Sequence, residues 1–304
     1  MAYGGFRRGD FSNPSTFFVT QPITHTIYKG GGVRIAGAYG AHRKAVELGL
    51  LDNLQATAGT SAGGLMAALV AGRYSMDEIG QIVTRINFPS FKDGWDPFEE
   101  FTKLGLYSGR TLQRFVESLI APKAGKPFAT FADIRDAGWL DLHVVATALN
   151  LRDYIVFSAD TTPTVIVSEA IRASMSIPLF YGAYRLSQGS TYTYLDGGVV
   201  NNYPLTLFDG PAPNPQVLGF FLHNPNPAPP FNVELNAESI ALNTFESMLD
   251  AQDAHVLRTP SLLNRSVVID TQGISSTDFN ITADQVTALI ASGETAMANF
   301  KLLL

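Results

Sequence analysis

A serine stands between two glycines in Gly59-Thr60-Ser61-Ala62-Gly63, where the short apolar run LQATAG gives way to the alanine-rich stretch SAGGLMAALVAG. A strand that passes directly into a helix at Gly-x-Ser-x-Gly forms a nucleophile elbow. The turn lifts the serine hydroxyl above the sheet edge, and Gly59 and Gly63 flank it because side chains there would strike neighbouring backbone. The helix that begins at Ser61 aims its free N–H groups and positive dipole end at the same point. The chemistry this suggests is acyl transfer, with Ser61 as nucleophile. The plainer reading is a helix start with serine as cap and small residues for close packing. Five residues alone do not separate the two readings; the strand-turn-helix setting favours the nucleophile.

A nucleophilic serine needs donors for the tetrahedral oxyanion and a base for its proton. Gly30, Gly31 and Gly32 end the preceding strand, one βα unit before Ser61, and unobstructed backbone N–H groups there suit an oxyanion hole. Arg34 would order that loop or add positive potential. The same glycines could form a flexible turn or a phosphate loop, but G-x-G-x-x-G fails at Ile35 and no G-x-x-x-x-G-K-[ST] occurs. For the base, five histidines are available. His25 and His143 fall in strand patterns, His42 and His255 in helix patterns, and only His223, after the strand QVLGFFL, suits a triad by position. Asp196, in YLDGGVVNN, competes with it. Its carboxylate follows a strand and precedes Gly197 and Gly198, which leave clearance for a substrate, although Asp-Gly is also an ordinary turn pair. Asn201 and Asn202 follow as residues suited to holding loop backbone.

The elements that must position these residues show in the periodicity. THTIYKGGG reads as a strand entering the glycine loop, and AGAYGAHRKAVELGLLDN as a helix with Ala41, Ala45, Leu48 and Leu51 on one side. The elbow adds a second strand and helix, and a βαβα start implies a parallel sheet with helices packed on it. SMDEIGQIVTRI is a helix with Ser75 as N-cap and Glu78 as its reciprocal partner. LDLHVVATAL, YIVFSA, TYTYLDGG, QVLGFFLH and SVVID read as strands. VIVSEAIRASMS, NVELNAESIALNTFESMLDAQDAHVLR and TADQVTALIASGETAMANFKLLL read as helices. Residues 1–24 form a polar arm before one catalytic core, 25–300, in a single domain spanning 1–304. The Pro-rich loop within 209–231 is a weak candidate boundary.

Composition narrows the class. With 46% hydrophobic and 16% charged residues among 304, the chain can bury a large core. A net charge of −6 without a basic run argues against nucleic acid as partner. The absence of cysteine rules out disulfides, thiolate catalysis and Cys-based metal sites. No EF-hand pattern or His-Glu zinc spacing occurs, so chemistry without metal or cofactor is expected. No apolar run reaches the ~18 residues of a spanning helix, and the N-terminus lacks a signal-peptide core. The expectation is a soluble cytosolic protein, or one exported by a route the sequence does not display.

KGGGVR, GTSAG and DGG, in this order and spacing, resemble the patatin-like phospholipases. IRASMSIPLFY is similar to the segment before that family's aspartate strand, and GISSTDFNITADQVTALIASGETAMANF to the tail of bacterial, effector-like members. The resemblance covers roughly residues 25–300 and implies a three-layer α/β/α fold with a mostly parallel central sheet. It also implies a Ser–Asp dyad without histidine. Ser61 becomes the nucleophile, Asp196 the general base, and Gly30, Gly31, Gly32 and Arg34 the oxyanion loop. One departure is Ile35, where the family's motif usually has glycine. The implied substrate is a phospholipid or other acyl lipid met by peripheral membrane contact. Some effector members work with a host protein activator, so a protein partner belongs among the expectations. The aromatic stretch FPSFKDGWDPFEEFTKLGLY, with Phe88, Phe91, Trp95, Phe98, Phe101 and Tyr107, is either a lid or docking region or part of the core. Two alternatives remain: an α/β-hydrolase with a Ser61–Asp196–His223 triad, and a non-catalytic lipid-binding protein on the same fold.

Overall fold

The computed structural model describes residues 21–94, 105–189, 191–225 and 234–301. The elements of the first half are β1 (His25–Tyr28), α1 (Ile35–Glu47), β2 (Ala56–Thr60), α2 (Ala62–Ala71), α3 (Met76–Arg85), β3 (Gly105–Tyr107), α4 (Arg110–Ala124), α5 (Phe131–Asp136) and β4 (Asp141–Ala148). The second half adds β5 (Asp153–Phe157), α6 (Val167–Ser174), β6 (Leu179–Tyr181), β7 (Tyr194–Asp196), β8 (Val217–His223), α7 (Ala237–Arg258), α8 (Pro260–Leu263), β9 (Ser266–Asp270) and α9 (Ala283–Ala298).

A strand buried on both faces reads as a continuous apolar run and belongs inside a parallel sheet. β2 is buried along its whole length and β1 past His25. Accordingly, the main sheet runs β5-β4-β2-β1-β8-β9, parallel from β4 to β9. Only β5 and β7 run antiparallel, both against β4. Helices flank this mostly parallel sheet in a three-layer α/β/α arrangement. One face carries the large core under α1, α2, α6 and α9, and the other a smaller cluster of Ile27, Ala58 and Val217 beneath Leu205, Phe208 and Leu262.

Register brings the site together. β2 pairs with β4 from Asp141 to Val145, so Thr60 ends opposite Val145. β7 takes the same edge of β4 in the opposite direction, from Tyr194 opposite Ala148 to Asp196 opposite Ala146. The two strands run toward each other and stop at adjacent β4 residues.

Most elements lie where the periodicity puts them, including the reciprocal Ser75–Glu78 capping box of α3. α1 differs at its C-terminal end. It stops at Glu47, the chain turns at Gly49 with φ 69°, and Leu48 faces solvent at 42% exposure while Leu51 is buried. α4, α5, α8 and the three-residue strands β3 and β6 had no counterpart in the sequence reading. Residues 1–20 of the arm and most of the Pro-rich loop lie outside the described residues.

The elbow is packed backbone to backbone. A Cβ on Gly63 would overlap the Tyr28 and Lys29 carbonyls, and one on Gly59 the Gly63 carbonyl. Neither site can relax by a side-chain movement. Gly63→Ala is therefore expected to destabilise the fold by about 2 kcal/mol or more, read as a lowered melting temperature. An unchanged melting temperature would contradict this packing.

Candidate active site

Ser61 lies at φ 54°, ψ −127°, a conformation that costs a non-glycine residue about 1–3 kcal/mol. Its surroundings hold it there. Ser61 N–H donates to Ser174 Oγ at 2.7 Å, and that hydroxyl donates onward to Val145 O at 2.6 Å. Gly64 and Leu65 N–H groups close the first turn of α2 on Ser61 O. The Ser61 hydroxyl then has one protein acceptor: it donates to Asp196 Oδ2 at 2.7 Å.

Asp196 is fully buried. Its Oδ1 accepts from Gly198 N–H at 2.8 Å, its N–H donates to Ser176 O at 2.8 Å, and its carbonyl accepts from Thr147 Oγ1 at 2.9 Å. The end of α6 thus fastens both partners, Ser61 through Ser174 and Asp196 through Ser176. Arg172, on the same helix, is also buried. Its guanidinium donates to the Gly109 and Ser108 carbonyls and to Ser176 Oγ, and its charge faces Asp196. Burial pushes the Asp196 carboxyl up to about 7, against the opposing pull of the Ser61 hydroxyl, the Gly198 N–H and Arg172. A carboxyl that exchanges its proton near neutrality is matched to general-base work.

The glycine loop lies beside this pair. Gly30 N–H donates to Asn202 O at 3.0 Å, while Asn202 Nδ2 donates to Gly30 O at 3.3 Å. Gly32, at φ 53°, lies so close to Ser276 O that no side chain fits, and Val33 N–H donates to that oxygen at 3.0 Å. Of the residues expected in the oxyanion loop, Gly30 has its N–H occupied, and Arg34 orders the loop by donating from Nε to Gly31 O at 3.2 Å. The Gly31 and Gly32 N–H groups meet no acceptor among the described residues. Ile35 fits at the usual glycine position because it takes ordinary right-handed helical angles there and is buried.

An apolar channel opens from this point. Its wall includes Ser61, Gly32, Leu65, Phe88, Phe91 and Phe279. Phe88 and Phe91 are buried, so these aromatics pack on the core and form channel wall, not an exposed docking surface. Tyr107 sits in β3 with its ring against Phe180. Trp95, Phe98 and Phe101 lie outside the described residues.

No triad assembles around His223. It ends β8, two strands from β2, where its ring stacks on Phe221 and Nδ1 lies 3.6 Å from Asp253 Oδ2. His42 is buried against the Tyr28 hydroxyl at 2.7 Å, and burial lowers its pKa to about 3. His143 pairs with Asp141, and His25 with Thr24. The bracing residues Arg172, Ser174 and Ser176 were not singled out by chemistry. Their signal is that all three lie in IRASMSIPLFY, the segment similar to the one before the aspartate strand of the patatin-like phospholipases. Among the described residues no cluster of His, Cys, Asp or Glu could hold a metal ion, and no helix is long and apolar enough to cross a membrane.

Comparison with known proteins agrees with this geometry. The uncharacterized protein YqhO of Bacillus subtilis is 28% identical over 284 residues, covering 88% of this chain and 94% of that protein. The uncharacterized protein R571 of Acanthamoeba polyphaga mimivirus is 30% identical over 296 residues, covering 93% and 94%. Among solved structures, VipD from Legionella pneumophila superposes with a TM-score of 0.59 at 16% identity, covering 92% of this chain and 67% of VipD, a likeness of fold. The model of the patatin-like phospholipases matches residues 28–209, which contain the glycine loop, the elbow and the Asp196 turn. The chain belongs to the patatin-like phospholipase family.

Proposed function

We propose that the protein is a lipid acyl hydrolase of phospholipase A or lysophospholipase type, acting through an acyl-enzyme on Ser61 with Asp196 as general base. The observation that carries this reading is the direct 2.7 Å hydrogen bond from the Ser61 hydroxyl to the buried Asp196 carboxylate, with no histidine between them. Asp196 takes the hydroxyl proton as Ser61 Oγ attacks the ester carbonyl. The tetrahedral oxyanion is received by the Gly31 and Gly32 N–H groups. Collapse expels the alcohol part of the lipid, which leaves with the proton from Asp196. Water then gives a proton to Asp196 and attacks the acyl carbonyl. The second collapse releases the fatty acid and returns the proton to Ser61. The apolar channel suits the acyl chain and keeps water from the buried carboxylate.

Nothing in this scheme calls for a metal, so activity should persist in EDTA. Contact with the membrane is peripheral. The whole chain acts as one catalytic unit, because β8 and β9 extend the sheet that carries the elbow and Phe279 walls the channel.

Fatty-acid release from mixed phospholipid vesicles, in EDTA, tests the assignment. Ser61→Ala should fall to background, Asp196→Asn should lose at least about a hundredfold, and His223→Ala should stay within about twofold of wild type. Full activity in Asp196→Asn would reject the dyad, and loss in His223→Ala would restore the triad. Release of nothing, with Ser61 still labelled by a fluorophosphonate, would point to a missing protein activator or another ester class. Failure to label would favour the non-catalytic lipid binder.

The raised Asp196 carboxyl gives two pH predictions of known sign. Activity requires the ionised form, so kcat/KM should fall as pH drops through about 7. Stability runs the other way. The unfolded carboxyl ionises near 3.8 and the folded one near 7, so the folded state binds the extra proton and stability declines between those values as pH rises. The melting temperature of inactive Asp196→Asn, measured relative to wild type, should therefore increase from pH 4 to pH 8. A difference that does not vary with pH would mean that the carboxyl titrates normally.

A further inference from the structure

α7 lies wholly outside the stretch matched by the family model, which stops at residue 209. Yet its residues Glu246, Gln252 and Asp253 touch segments on either side of the site. Glu246 accepts from the Ser275 and Ser276 hydroxyls at 2.9 and 2.5 Å, and Ser276 is the residue that abuts Gly32. Asp253 holds the buried Lys29 ammonium at 2.6 Å, one residue before Gly30. Between them sits Gln252, and both of its contacts fall on the turn that follows Asp196. Gln252 Nε2 donates to Gly198 O at 2.7 Å, and Gln252 Oε1 accepts from Asn202 N–H at 2.9 Å.

Each of those contacts leads to a group that the mechanism uses. Gly198 donates its N–H to Asp196 Oδ1, and Asn202 forms the reciprocal pair of hydrogen bonds with Gly30. One side-chain amide thus braces both ends of a single turn, Gly198 beside the base and Asn202, which grips the glycine loop. Its two partners also fix which way round it lies, since an N–H can only be met by the amide oxygen and a carbonyl only by the amide nitrogen. An ionised glutamate would set a second oxygen against Gly198 O, and an apolar side chain would leave both backbone groups without a partner.

We propose that Gln252 is a positioning residue that holds the Asp196 turn and the glycine loop in mutual register. The proposal rests on the reading of Ser61 and Asp196 as the catalytic dyad. Gln252 touches neither substrate nor the reacting atoms. It acts through Gly198 on the base and through Asn202 on the loop.

The test compares wild type, Gln252→Met and Gln252→Glu by kcat and KM on a soluble short-chain ester between roughly pH 5 and 9, with fluorophosphonate titration of active sites and thermal melts. Gln252→Met keeps the side-chain length and removes both hydrogen bonds. It should lower kcat per titrated site by about tenfold, leave KM within about twofold, and move the acid limb of kcat/KM to higher pH. That last shift follows because the Gly198 N–H, no longer held on Oδ1, supports the ionised carboxylate less. A purely structural residue would change the number of titratable sites and leave the limb in place. Gln252→Glu keeps the acceptor for Asn202 but loses the donor to Gly198, so its acid limb should move at least as far.

Wild-type kcat per site and an unmoved acid limb in Gln252→Met would overturn the proposal, as would a loss explained wholly by fewer titratable sites. Should the ester not be turned over, the rate of fluorophosphonate labelling and its pH limb give the same comparison. A wild-type protein that neither hydrolyses nor labels overturns this proposal and the dyad together, whereas an active wild type with an unaffected Gln252→Met overturns this proposal alone.

Discussion

The site depends on two strands meeting end to end along one edge of β4. β2 climbs that edge to Val145 and β7 descends it to Ala146, so the residues that follow and end them, Ser61 and Asp196, face each other across a single step of the ladder. The 2.7 Å hydrogen bond between their side chains is then a matter of register, not of loop conformation. Register is the best-defined quantity a buried sheet has, because a slip of one residue turns every side chain to the opposite face. This is how a β7 of only three residues can place a buried carboxylate beside the serine.

Burying that carboxylate is costly, and the surroundings offset the cost only in part. Asp196 receives the Ser61 hydroxyl, one backbone N–H and the distant charge of Arg172, which is too little to hold it at the usual carboxylate range. Arg172 is itself buried and is satisfied by two carbonyls and a serine hydroxyl, with no acid in direct contact among the described residues. Positive charge is therefore present near the base but not paired with it. A tighter ion pair would have made Asp196 a weak base; an apolar wall without Arg172 would have kept it protonated. The strained Ser61 backbone belongs to the same arrangement, since the hydroxyl of Ser174 occupies its N–H and leaves the side chain to Asp196.

Much of this was legible in the sequence. The elbow, the glycine loop, every strand except β3 and β6, and the capping box of α3 announce themselves by local pattern or short motif, whereas Asp196 stands out from an ordinary Asp-Gly turn only through the family resemblance. What escaped depends on distance along the chain. Ser174 meets Ser61 across 113 residues, Asn202 meets Gly30 across 172, and no periodicity encodes either contact. The three-residue strands β3 and β6 show no alternation, and unlike β7 neither runs into a glycine-marked turn motif that would reveal it. The aromatics Phe88 and Phe91 could be read as surface or core, and only packing against Phe115 decides for the core. His223 looked eligible because it follows a strand. That strand is β8, two places removed from the elbow in the sheet.

The wall of the acyl channel contains Phe279 and the glycine loop rests on Ser276, more than two hundred residues after Ser61. During synthesis the nucleophile, the glycine loop and the base all leave the ribosome before the segment that completes their enclosure. β9, which precedes that segment, must also be added to the sheet edge, a non-local pairing of the kind that forms late. A nascent chain therefore carries Ser61, and later Asp196, before the apolar chamber around them exists. Assembly order leaves the chamber to be closed only in the finished molecule.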